Sequence, residues 1–376
     1  MENSYDVIVV GAGPGGSAAA FHLATAGLRT LLLEKEKIPR YKPCGGGLTR
    51  KVLREVDSFS PVVEQSVTVA SLAFREARHR IAYPRPMAWC VMRPAFDEML
   101  ARRAAAAGAE LRDATLATAV RIDDGGVVVE TGSEKLRARM LVGADGANSI
   151  VRRAAGFPSN TALGTAIEIE LETAPTSLDE WQATMHADYG AISGGYGWIF
   201  PKKDHLSVGV GVFAGEKVPD LRAISTRYIE SEPSLAGGKE ILRRGHRIPL
   251  GGGRARYHAR RVVLVGDAAG VVDPFTGEGI YYALRTGRMA AEEIRRAFER
   301  DDPSASNYTR RINIEINPDF RWGALLGRTV YRAPRLAYRI IEHSRAAQRV
   351  AAELVSGESS YRRLVAAGAL GFFKTL

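Results

Sequence analysis

The chain has 376 residues, 45% of them hydrophobic and 25% charged, a composition typical of a globular protein of about two domains. Its two cysteines, Cys44 and Cys90, are too few for a disulfide framework, so a reducing, cytoplasmic location is expected without a signal peptide. The net charge is +10, but the basic residues are scattered and no apolar run reaches the ~18 residues of a membrane span, so neither nucleic acid binding nor membrane insertion is expected.

The chain opens with a predicted βαβ unit. Residues 5–10 form a short apolar run that ends in glycines, which indicates a buried parallel strand, and residues 30–33 indicate a second one. Residues 14–26 between them are alanine-rich with helical spacing, and Gly27 is a suitable C-cap.

The next elements continue this pattern. Arg93-Pro94 indicates a helix that runs to about Ala107, residues 111–139 indicate a strand and a hairpin, and residues 140–144 indicate a further strand. A buried-strand pattern returns at residues 261–265 and is followed by a predicted helix over about 279–299.

The middle of the chain has a different character. Apolar residues alternate with polar residues or glycine in 165–171 and 206–213, which favours an antiparallel sheet with one buried face. After Pro303 the pattern is helical, with breaks near Pro318, Pro334 and Gly357.

These elements predict an α/β plus α+β protein. The Rossmann-type nucleotide-binding domain is discontinuous and comprises residues 1–70, 91–160 and 256–302. Residues 71–90 and 161–255 form an inserted antiparallel-sheet substrate domain, and residues 303–376 form a helical C-terminal region.

Glycines follow the first strand at the positions of a dinucleotide fingerprint. Gly11 allows the tight turn, Gly13 lets the backbone approach a pyrophosphate, and Gly16 lets helix and strand pack closely. Glu34 ends the second strand, where a carboxylate can accept hydrogen bonds from both ribose hydroxyls. An acid there disfavours a 2′-phosphate, so NAD or FAD is predicted rather than NADP, with a glycine-rich turn that binds nothing as the alternative.

Two later motifs narrow the choice of cofactor. Residues 141–152 read LVGADGANSIVR and residues 265–279 read VGDAAGVVDPFTGEG. Together with the fingerprint they resemble the three flavin motifs of the aromatic-hydroxylase-like flavoprotein superfamily, and Arg93 with Phe96-Asp97 matches a fourth segment. The resemblance implies that the cofactor is FAD and that the nucleotide-binding domain is an FAD-binding domain.

Roles within these motifs follow from their chemistry. Asp267 follows a strand and offers only acceptors, which suits the ribityl hydroxyls, and residues 274–279 would bring a helix N-terminus toward the flavin ring. Asp145 can equally be a turn-forming residue or a ligand contact. The residues predicted to hold FAD are Gly11, Gly13, Pro14, Gly15, Gly16, Glu34, Lys35, Cys44, Gly45, Arg93, Asp145, Gly146, Gly266, Asp267, Pro274, Gly277, Gly279 and Ile280.

Two further segments resemble the geranylgeranyl reductase family. One is Pro43-Cys44-Gly45-Gly46-Gly47, and the other is Tyr196-Gly197-Trp198-Ile199-Phe200-Pro201-Lys202, followed by Gly209 and Gly211. Members of this family reduce isolated double bonds of polyprenyl chains on diphosphates, archaeal glycerolipids, chlorophylls or quinones. The resemblance implies an FAD-dependent oxidoreductase of isoprenoid or lipid biosynthesis that acts on CH–CH groups of a geranylgeranyl or other polyprenyl chain.

An isoprenoid chain needs an apolar tunnel. On one strand, Tyr196, Trp198 and Phe200 would point to the same face and could line such a tunnel, or else form an aromatic ladder in the sheet core. Pro201 would end the strand or place it at an edge. The residues predicted to contact substrate are Gly46, Gly47, Tyr196, Trp198, Phe200 and Pro201.

The expected reaction delivers a hydride from reduced FAD to one alkene carbon and a proton to the other, with water excluded. Catalytic roles are predicted for Cys44, as proton donor or gate, and for Tyr196 and Trp198, although a buried thiol is often only a packing residue. Further candidates near the third flavin motif are Tyr281, Tyr282, Asp273 and Glu278.

The remaining expectations concern partners. Gly251-Gly252-Gly253 lacks the strand-to-helix setting of a second nucleotide site, so the electron donor is either transiently bound NAD(P)H or a reduced carrier protein, and no metal site is predicted. The C-terminal helices mix arginines with apolar residues, which indicates either a solvated basic face or peripheral contact with the inner face of an anionic membrane. The chain is expected to be a monomer or a weak oligomer.

Two other functions compete with this one. An oxygen-using hydroxylase or halogenase is the first, because halogenases of the superfamily have a tryptophan motif that residues 196–201 partly match. The second is a flavoprotein that transfers electrons to a quinone. Such proteins often carry an iron–sulfur cluster, for which two cysteines are too few.

Overall fold

The computed structural model describes residues 4–158, 162–214, 218–253, 256–302 and 304–363. Pro303, after which the helical region is predicted to begin, and residues 364–376, the last part of that region, lie outside these ranges. No helix among the described residues combines the length and the apolar composition needed to cross a bilayer.

Most of the strands are short. In chain order they are β1 Ser4–Val10, β2 Thr30–Leu33, β3 Gly47–Thr49, β4 Val63–Val67, β5 Val69–Phe74, β6 Ala77–Ala82, β7 Ala88–Val91, β8 Glu110–Arg112, β9 Ala119–Ile122, β10 Val127–Glu130, β11 Lys135–Gly143, β12 Leu163–Glu172, β13 Thr184–Asp188, β14 Gly195–Pro201, β15 Leu206–Val212, β16 Lys239–Pro249, β17 His258–Ala259 and β18 Val262–Leu264.

The helices are concentrated toward the C-terminal end. In chain order they are α1 Pro14–Thr25, α2 Arg93–Ala106, α3 Ile150–Ala154, α4 Pro175–Trp181, α5 Leu221–Ser231, α6 Gly266–Ala269, α7 Ile280–Glu299, α8 Asn307–Glu315, α9 Asn317–Arg332, α10 Pro334–His343 and α11 Arg345–Ser356, with 3₁₀ turns at Arg50–Arg54 and Ser60–Val62.

The first of two compact units comprises Met1–Tyr41, Pro94–Ala162 and Ile248–Pro318. Its sheet has the order β17-β18-β11-β1-β2-β8, in which β18, β11, β1, β2 and β8 run parallel, and β9 and β10 extend it as an antiparallel hairpin beside β11. The apolar runs of β1 and β2 are buried on both faces, as parallel strands between layers of helices must be.

Helices α1 and α7 meet through glycines in the first unit. A Cβ on Gly287 would lie 2.3 Å from the backbone oxygen of Gly15, and a Cβ on Gly15 would lie 3.1 Å from the backbone oxygen of Ala283. Because neither glycine has a side chain, the two helix backbones come into contact. The N-terminal parts of α1 and α7 are therefore neighbours.

The second unit comprises Lys42–Arg93, Leu163–Arg247 and Asp319–Leu376. Its main sheet has the order β16-β12-β15-β14-β13-β5-β6, and β3, β7 and β4 form a small separate sheet. One face of the main sheet packs Ile169, Ile199 and Val208 against Trp181 of α4 and Tyr228 of α5. Alternation along β12 and β14 produces this buried face, and the α/β plus α+β class is confirmed.

The structure divides the chain differently from the predicted domains. Residues 42–70 belong to the second unit rather than to the nucleotide domain, because β3 and β4 pair with β7. The predicted C-terminal region is also divided, because α8 clusters with the first unit and α9, α10 and α11 cluster with the second.

The predicted boundary near residue 140 is wrong. Residues 135–143 form one continuous strand, β11, whose first half alternates between buried and exposed positions and whose second half is buried throughout. The first half pairs with the hairpin strand β10, whereas the second half lies between β1 and β18. A change of neighbours therefore looks, in the sequence, like a change of element.

Candidate functional site

The three flavin-like motifs follow strand ends that lie side by side in the first unit. Val10 of β1 pairs with Gly143 of β11 and with Leu33 of β2, and Gly143 pairs with Leu264 of β18. The residues that continue the chain after these strands therefore start from one edge of the sheet. Ligands of open α/β sheets bind at this carboxyl edge.

The glycine fingerprint has no room for side chains. Gly11 has φ +104°, and a Cβ on it would lie 2.3 Å from the backbone oxygen of Ala144 in the second motif. A Cβ on Gly16 would lie 1.8 Å from the backbone oxygen of Gly11. Gly13 caps the N-terminus of α1, and Pro14, Gly15 and Gly16 form its buried first turn, as predicted. Backbone N–H groups at such a helix start are suited to bind phosphate oxygens.

Glu34 is fixed at the end of β2 and is only 4% exposed. Its Oε2 accepts the Ala12 N–H at 3.0 Å, and its Oε1 accepts the Glu36 N–H at 3.2 Å. Arg40 Nε lies 3.3 Å from the same Oε2, and Arg40 Nη1 donates to Asp97 Oδ2 at 2.8 Å. A carboxylate has about four acceptor positions, so Glu34 retains capacity for a hydroxyl while its orientation is held.

Arg40 is a site residue that the sequence did not reveal. Its Nη2 lies 3.8 Å from the position of a Cβ on Gly13, which brings a half-buried cation to the predicted pyrophosphate position. Neither a motif nor a periodic pattern marks this residue. Lys35, in contrast, is exposed, and its ammonium lies 3.5 Å from the carboxylate of Glu36 rather than at the fingerprint.

The carboxylate of Asp145 is used within its own loop. Its Oδ1 accepts the Ser149 Oγ–H at 2.5 Å, and its Oδ2 accepts the N–H groups of Ile150 and Val151 at 2.7 and 3.2 Å. Burial raises the pKa of Asp145, while these hydrogen bonds act in the opposite direction. The turn-forming role is therefore the one its contacts support. Gly146 has φ +79° with open space where a Cβ would be.

The third motif forms a compact turn at the start of α7. Gly266 has φ +54°, and its N–H donates to Thr286 Oγ1 at 3.1 Å. Gly279 caps α7, Ile280 is its first residue, and a Cβ on Gly279 would lie 3.8 Å from Asp267 Oδ1. Asp267 is thus next to the N-terminus of the long helix α7.

The other candidates in this motif have structural contacts. Asp273 is buried, and its Oδ1 accepts the N–H groups of Phe275 and Thr276 at 2.8 and 2.9 Å, so this acid shapes the turn that contains Pro274 and Gly277. The rings of Tyr281 and Tyr282 contact each other edge to face, with centroids 4.9 Å apart. The Glu278 N–H donates to Thr276 Oγ1 at 3.3 Å.

The first unit therefore fits an FAD. Glycines without room for a Cβ, the N-termini of α1 and α7, and the acceptors Glu34 and Asp267 follow neighbouring strands at one sheet edge. The remaining residues predicted to hold FAD are Cys44, Gly45 and Arg93, and they belong to the second unit.

In the second unit, residues 43–47, which we call the Cys44 loop, lie on the aromatic side chains of β14. A Cβ on Gly45 would lie 2.7 Å from Cδ2 of Phe200 and 3.2 Å from Nε1 of Trp198. A Cβ on Gly47 would lie 3.2 Å from Cε2 of Phe200. Two segments that are far apart in the sequence therefore meet, as their shared prediction for substrate requires.

Tyr196, Trp198 and Phe200 point to one side of β14, which we call the aromatic face, as alternation predicts. The ring centroids of Tyr196 and Trp198 are 6.3 Å apart, and those of Trp198 and Phe200 are 6.4 Å apart. Ile199 points to the opposite side and packs in the core with Trp181 and Tyr228. Pro201 ends the strand.

Further rings extend the aromatic face. The ring of Phe213 stacks on that of Tyr196 with the centroids 5.3 Å apart. The ring of Tyr331 in α9 stacks on Phe213 with the centroids 6.3 Å apart. The ring centroid of Tyr189 lies 5.8 Å from that of Tyr196 and 6.3 Å from that of Tyr331. These three rings come from separate segments, so no local sequence pattern could have grouped them.

The indole N–H of Trp198 is buried without a hydrogen-bond partner among the described residues. The side chain is only 6% exposed, and its Nε1 points toward Gly45. A buried donor without an acceptor costs free energy, so the packing of the indole against the Cys44 loop must offset this cost.

The two cysteines differ in their surroundings. Cys44 is half-buried, and its Sγ accepts the Gly46 N–H at 3.4 Å. Cys90 is completely buried in β7, and burial raises its pKa to about 11, which makes it chemically inert. Of the two thiols, Cys44 is the one that belongs to the candidate site.

Comparisons with known proteins agree with these features. Residues 4–217 match an FAD binding domain family. The chain is 37% identical over 77% of its length to the geranylgeranyl diphosphate reductase of Rhodobacter capsulatus, of which it covers 74%. It is 33% identical over 84% of its length to digeranylgeranylglycerophospholipid reductase 1 of Methanopyrus kandleri, of which it covers 87%. The chain belongs to the geranylgeranyl reductase family.

Solved structures support membership of this family of FAD-dependent oxidoreductases. A geranylgeranyl bacteriochlorophyll reductase-like protein from Thermoplasma acidophilum superimposes with a TM-score of 0.83 at 25% identity, covering 97% of this chain and 98% of that one. A flavin-dependent brominase has the same fold, with a TM-score of 0.75 at 20% identity over 99% of this chain and 100% of the brominase. The geranylgeranyl reductase family therefore shares its fold with halogenases.

Proposed function

We propose that this protein saturates isolated C=C bonds of a geranylgeranyl or other polyprenyl chain. The observation that carries the proposal is the contact of the Cys44 loop with Trp198 and Phe200, which puts a thiol-bearing loop on an aromatic surface suited to an apolar chain. Relatives named for geranylgeranyl diphosphate and for digeranylgeranylglycerophospholipid support a polyprenyl substrate.

Different residues bind the cofactor, orient the polyprenyl chain and donate the proton. When bound, reduced FAD supplies the hydride, and the first unit's glycines, Glu34 and Asp267 hold the cofactor. Tyr196, Trp198 and Phe200 orient the chain and exclude water, since the faces of their rings offer the alkene an apolar contact. Cys44 Sγ accepts a hydrogen bond from Gly46, which leaves the thiol proton available for the second alkene carbon.

A single anaerobic experiment tests the reaction. Dithionite-reduced enzyme is incubated with prenyl diphosphates, prenylated quinones and unsaturated lipid ethers, and the products are identified by mass spectrometry. We expect a gain of about 2 mass units per reduced bond, because each saturation adds a hydride and a proton. Products that form only when oxygen is admitted would replace the proposal with a hydroxylase or halogenase, and electron transfer to quinone without alkene reduction would replace it with an electron-transfer flavoprotein.

We propose that electrons reach the flavin from transiently bound NAD(P)H or from a reduced carrier protein. The glycines of residues 251–253 follow β16 and precede the short strand β17, so they lack the helix that a second dinucleotide site needs. Anaerobic mixing with NADH, NADPH or a reduced ferredoxin distinguishes the donors by the rate at which the oxidised flavin absorbance disappears. No reduction by any of the three would contradict both alternatives.

We also propose peripheral contact with an anionic membrane through α9 and α10. Four apolar side chains of these helices are between 37% and 60% exposed, namely Trp322, Leu325, Leu336 and Ile340. The exposed arginines beside them are Arg321, Arg328, Arg332, Arg335 and Arg339, and Glu342 is exposed as well. Apolar side chains among cations match a bilayer with anionic headgroups, where a lipid substrate would reside.

Vesicle sedimentation tests this contact. We expect binding to phosphatidylglycerol vesicles but not to phosphatidylcholine vesicles, and at least tenfold weaker binding for a Leu336→Glu, Ile340→Glu variant, since two buried apolar contacts are lost. Ile241→Glu is the matched control, because Ile241 is 56% exposed on β16, which is the edge strand at the far end of the main sheet from β5, the strand on which α10 packs. Equal binding of all variants would exclude α9 and α10 as the contact.

A further inference from the structure

The local sequence of the Cys44 loop does not fix its backbone conformation. Residues 45–47 are consecutive glycines, and glycine has more conformational freedom to lose than any other residue. A regular strand begins only at Gly47, which pairs with Cys90 of β7. The peptide groups of Cys44 and Gly45 therefore need partners elsewhere if the thiol is to keep one position.

One partner is the side chain of Lys202, which is only 2% exposed. Its Nζ donates to the backbone oxygen of Gly45 at 2.8 Å and to that of Val91 at 2.9 Å. A Cβ on Gly46 would lie 2.8 Å from this Nζ, so the ammonium reaches the loop because residue 46 is glycine. A buried ammonium is costly unless it is hydrogen-bonded, and two of its donors are used on these carbonyls.

The other partner is Glu168 of β12, which is 3% exposed. Its Oε2 accepts the Cys44 N–H at 2.6 Å, and its Oε1 accepts the Ser207 Oγ–H at 3.0 Å. Hydrogen bonds to an ionised group are about twice as strong as neutral ones. Because this hydrogen bond is short and buried, Glu168 fixes the position of the Cys44 N–H.

We propose that Glu168 and Lys202 are positioning residues that hold the Cys44 loop closed on Trp198 and Phe200. One carboxylate binds the N–H of Cys44 and one ammonium binds the carbonyl of the next residue, Gly45, so both sides of the Cys44 residue are fixed. Opening the loop would break one hydrogen bond of each of these two buried groups, which favours a single conformation of the glycine-rich backbone. The consequence for turnover rests on the proposed function, whereas the position of the loop does not.

The rate at which iodoacetamide alkylates Cys44 measures how readily the Cys44 loop opens. The chain has two cysteines, and Cys90 is completely buried, so native-state alkylation mapped by peptide mass reports on Cys44 alone with Cys90 as an internal check on global unfolding. We expect Glu168→Ala and Lys202→Met each to speed alkylation roughly tenfold, because each removes charge-assisted hydrogen bonds. Glu168→Gln, which keeps an acceptor of the same size, is expected to stay within about threefold of the wild type.

Comparing Glu168→Ala with Lys202→Met distinguishes loop opening from a direct effect of the lost charge on the thiol. Loss of a nearby negative charge would favour the thiolate and speed alkylation, whereas loss of a nearby positive charge would slow it. Faster alkylation in both Glu168→Ala and Lys202→Met therefore supports loop opening, and opposite effects overturn it. Glu170→Ala is the matched control, since Glu170 lies two residues along β12 with similar burial and its Oε2 lies 3.2 Å from His205 Nε2.

Turnover tests the role of the closed loop in the reaction. With a prenyl substrate that the wild type reduces, we expect kcat to fall roughly tenfold in Glu168→Ala while KM changes less than about twofold, and Glu168→Gln to recover most of the loss. Faster alkylation with unchanged kcat would overturn the positioning role in catalysis. If the wild type reduces no prenyl substrate but alkylation still rises in both variants, the loop anchor stands and the proposed function fails.

Discussion

Trp198 and Gly209 are register partners on the neighbouring antiparallel strands β14 and β15. A Cβ on Gly209 would lie 2.2 Å from Cζ2 of the indole, so the ring occupies the space that a side chain at residue 209 would need. Tyr196 pairs in the same way with Gly211. A Cβ on Gly211 would lie 3.0 Å from Cζ of Phe213, the ring that stacks on Tyr196. Gly209 therefore lets the indole of Trp198 lie across the neighbouring strand, and Gly211 leaves room for the ring of Phe213.

Replacing Trp198 by alanine tests the aromatic face. We expect Trp198→Ala to retain FAD and to raise the KM for a prenyl substrate by at least tenfold, because the largest apolar contact of the face is removed. FAD content and steady-state prenyl reduction are the measurements.

Ile199→Ala is the control for this substitution. Ile199 is on the same strand but faces the core on the opposite side of the sheet, so we expect a loss of about 2–5 kcal/mol in stability with an unchanged KM. Full prenyl turnover by Trp198→Ala would contradict the assignment of substrate to this face.

Replacing Gly46 by alanine tests the close approach of the Cys44 loop. Gly46 has φ +68°, and a Cβ would lie 2.0 Å from the backbone oxygen of Val91. We expect Gly46→Ala to displace the loop and to lower prenyl turnover at least tenfold, since both the strained φ and the clash must be relieved.

Gly27→Ala distinguishes the effect of a strained positive φ from the effect of a steric clash. Gly27 has φ +80° with open space around the Cβ position, so this variant shares the backbone strain but not the clash. We expect a stability loss of roughly 1 kcal/mol and normal turnover from Gly27→Ala. Equal turnover in both variants would show that the loop tolerates displacement.

Replacing Glu34 by alanine tests the nucleotide end of the site. We expect Glu34→Ala to weaken FAD binding by about 10- to 100-fold, because a fixed, charged acceptor is worth about 1.5–3 kcal/mol. FAD content after gel filtration and fluorescence titration of the apoprotein measure the loss. Glu36→Ala, an exposed acid two residues away, should bind FAD like the wild type. Stoichiometric, tightly held FAD in Glu34→Ala would exclude the ribose contact.

His186 makes the stability of the second unit dependent on pH. It is 1% exposed and hydrogen-bonded to Ser71 at 2.9 Å, and burial, together with the charges of Arg78 and Arg80, lowers its pKa to about 3. The unfolded chain binds a proton at a pKa of about 6.5, so the contribution of the neutral ring is complete above that pH and is lost as the pH falls.

The expected size of this effect is up to about 1.4 kcal/mol per pH unit below about 6.5. Urea unfolding at about pH 7.5 and about pH 5.5 should show a decrease of roughly 1 kcal/mol in the wild type that His186→Gln lacks. His343→Gln, at an exposed histidine, should keep the wild-type decrease. The same decrease in all three proteins would mean that His186 is not its source.

Much of the nucleotide end of the site was predictable from local sequence. Gly11, Glu34 and Gly266 stand directly at or just after predicted strand ends, and parallel strands share one carboxyl edge, so the motifs had to gather there. Alternation within β14 likewise predicted that Tyr196, Trp198 and Phe200 share a face. The exception is Asp145, whose carboxylate accepts the N–H groups of Ile150 and Val151 after its own loop, a role that the sequence left open.

Contacts between distant segments could not be predicted in this way. The sequence determined the periodicity of each element and the glycines of its turns, because those depend on neighbours a few residues away. Only the tertiary structure decided that residues 42–47 lie with the sheet unit, that Glu168 and Lys202 are buried against the Cys44 loop, and that Tyr331 joins the aromatic face. Burial and partnership of a single charged residue depend on which surfaces meet in the folded chain, and no local pattern encodes that.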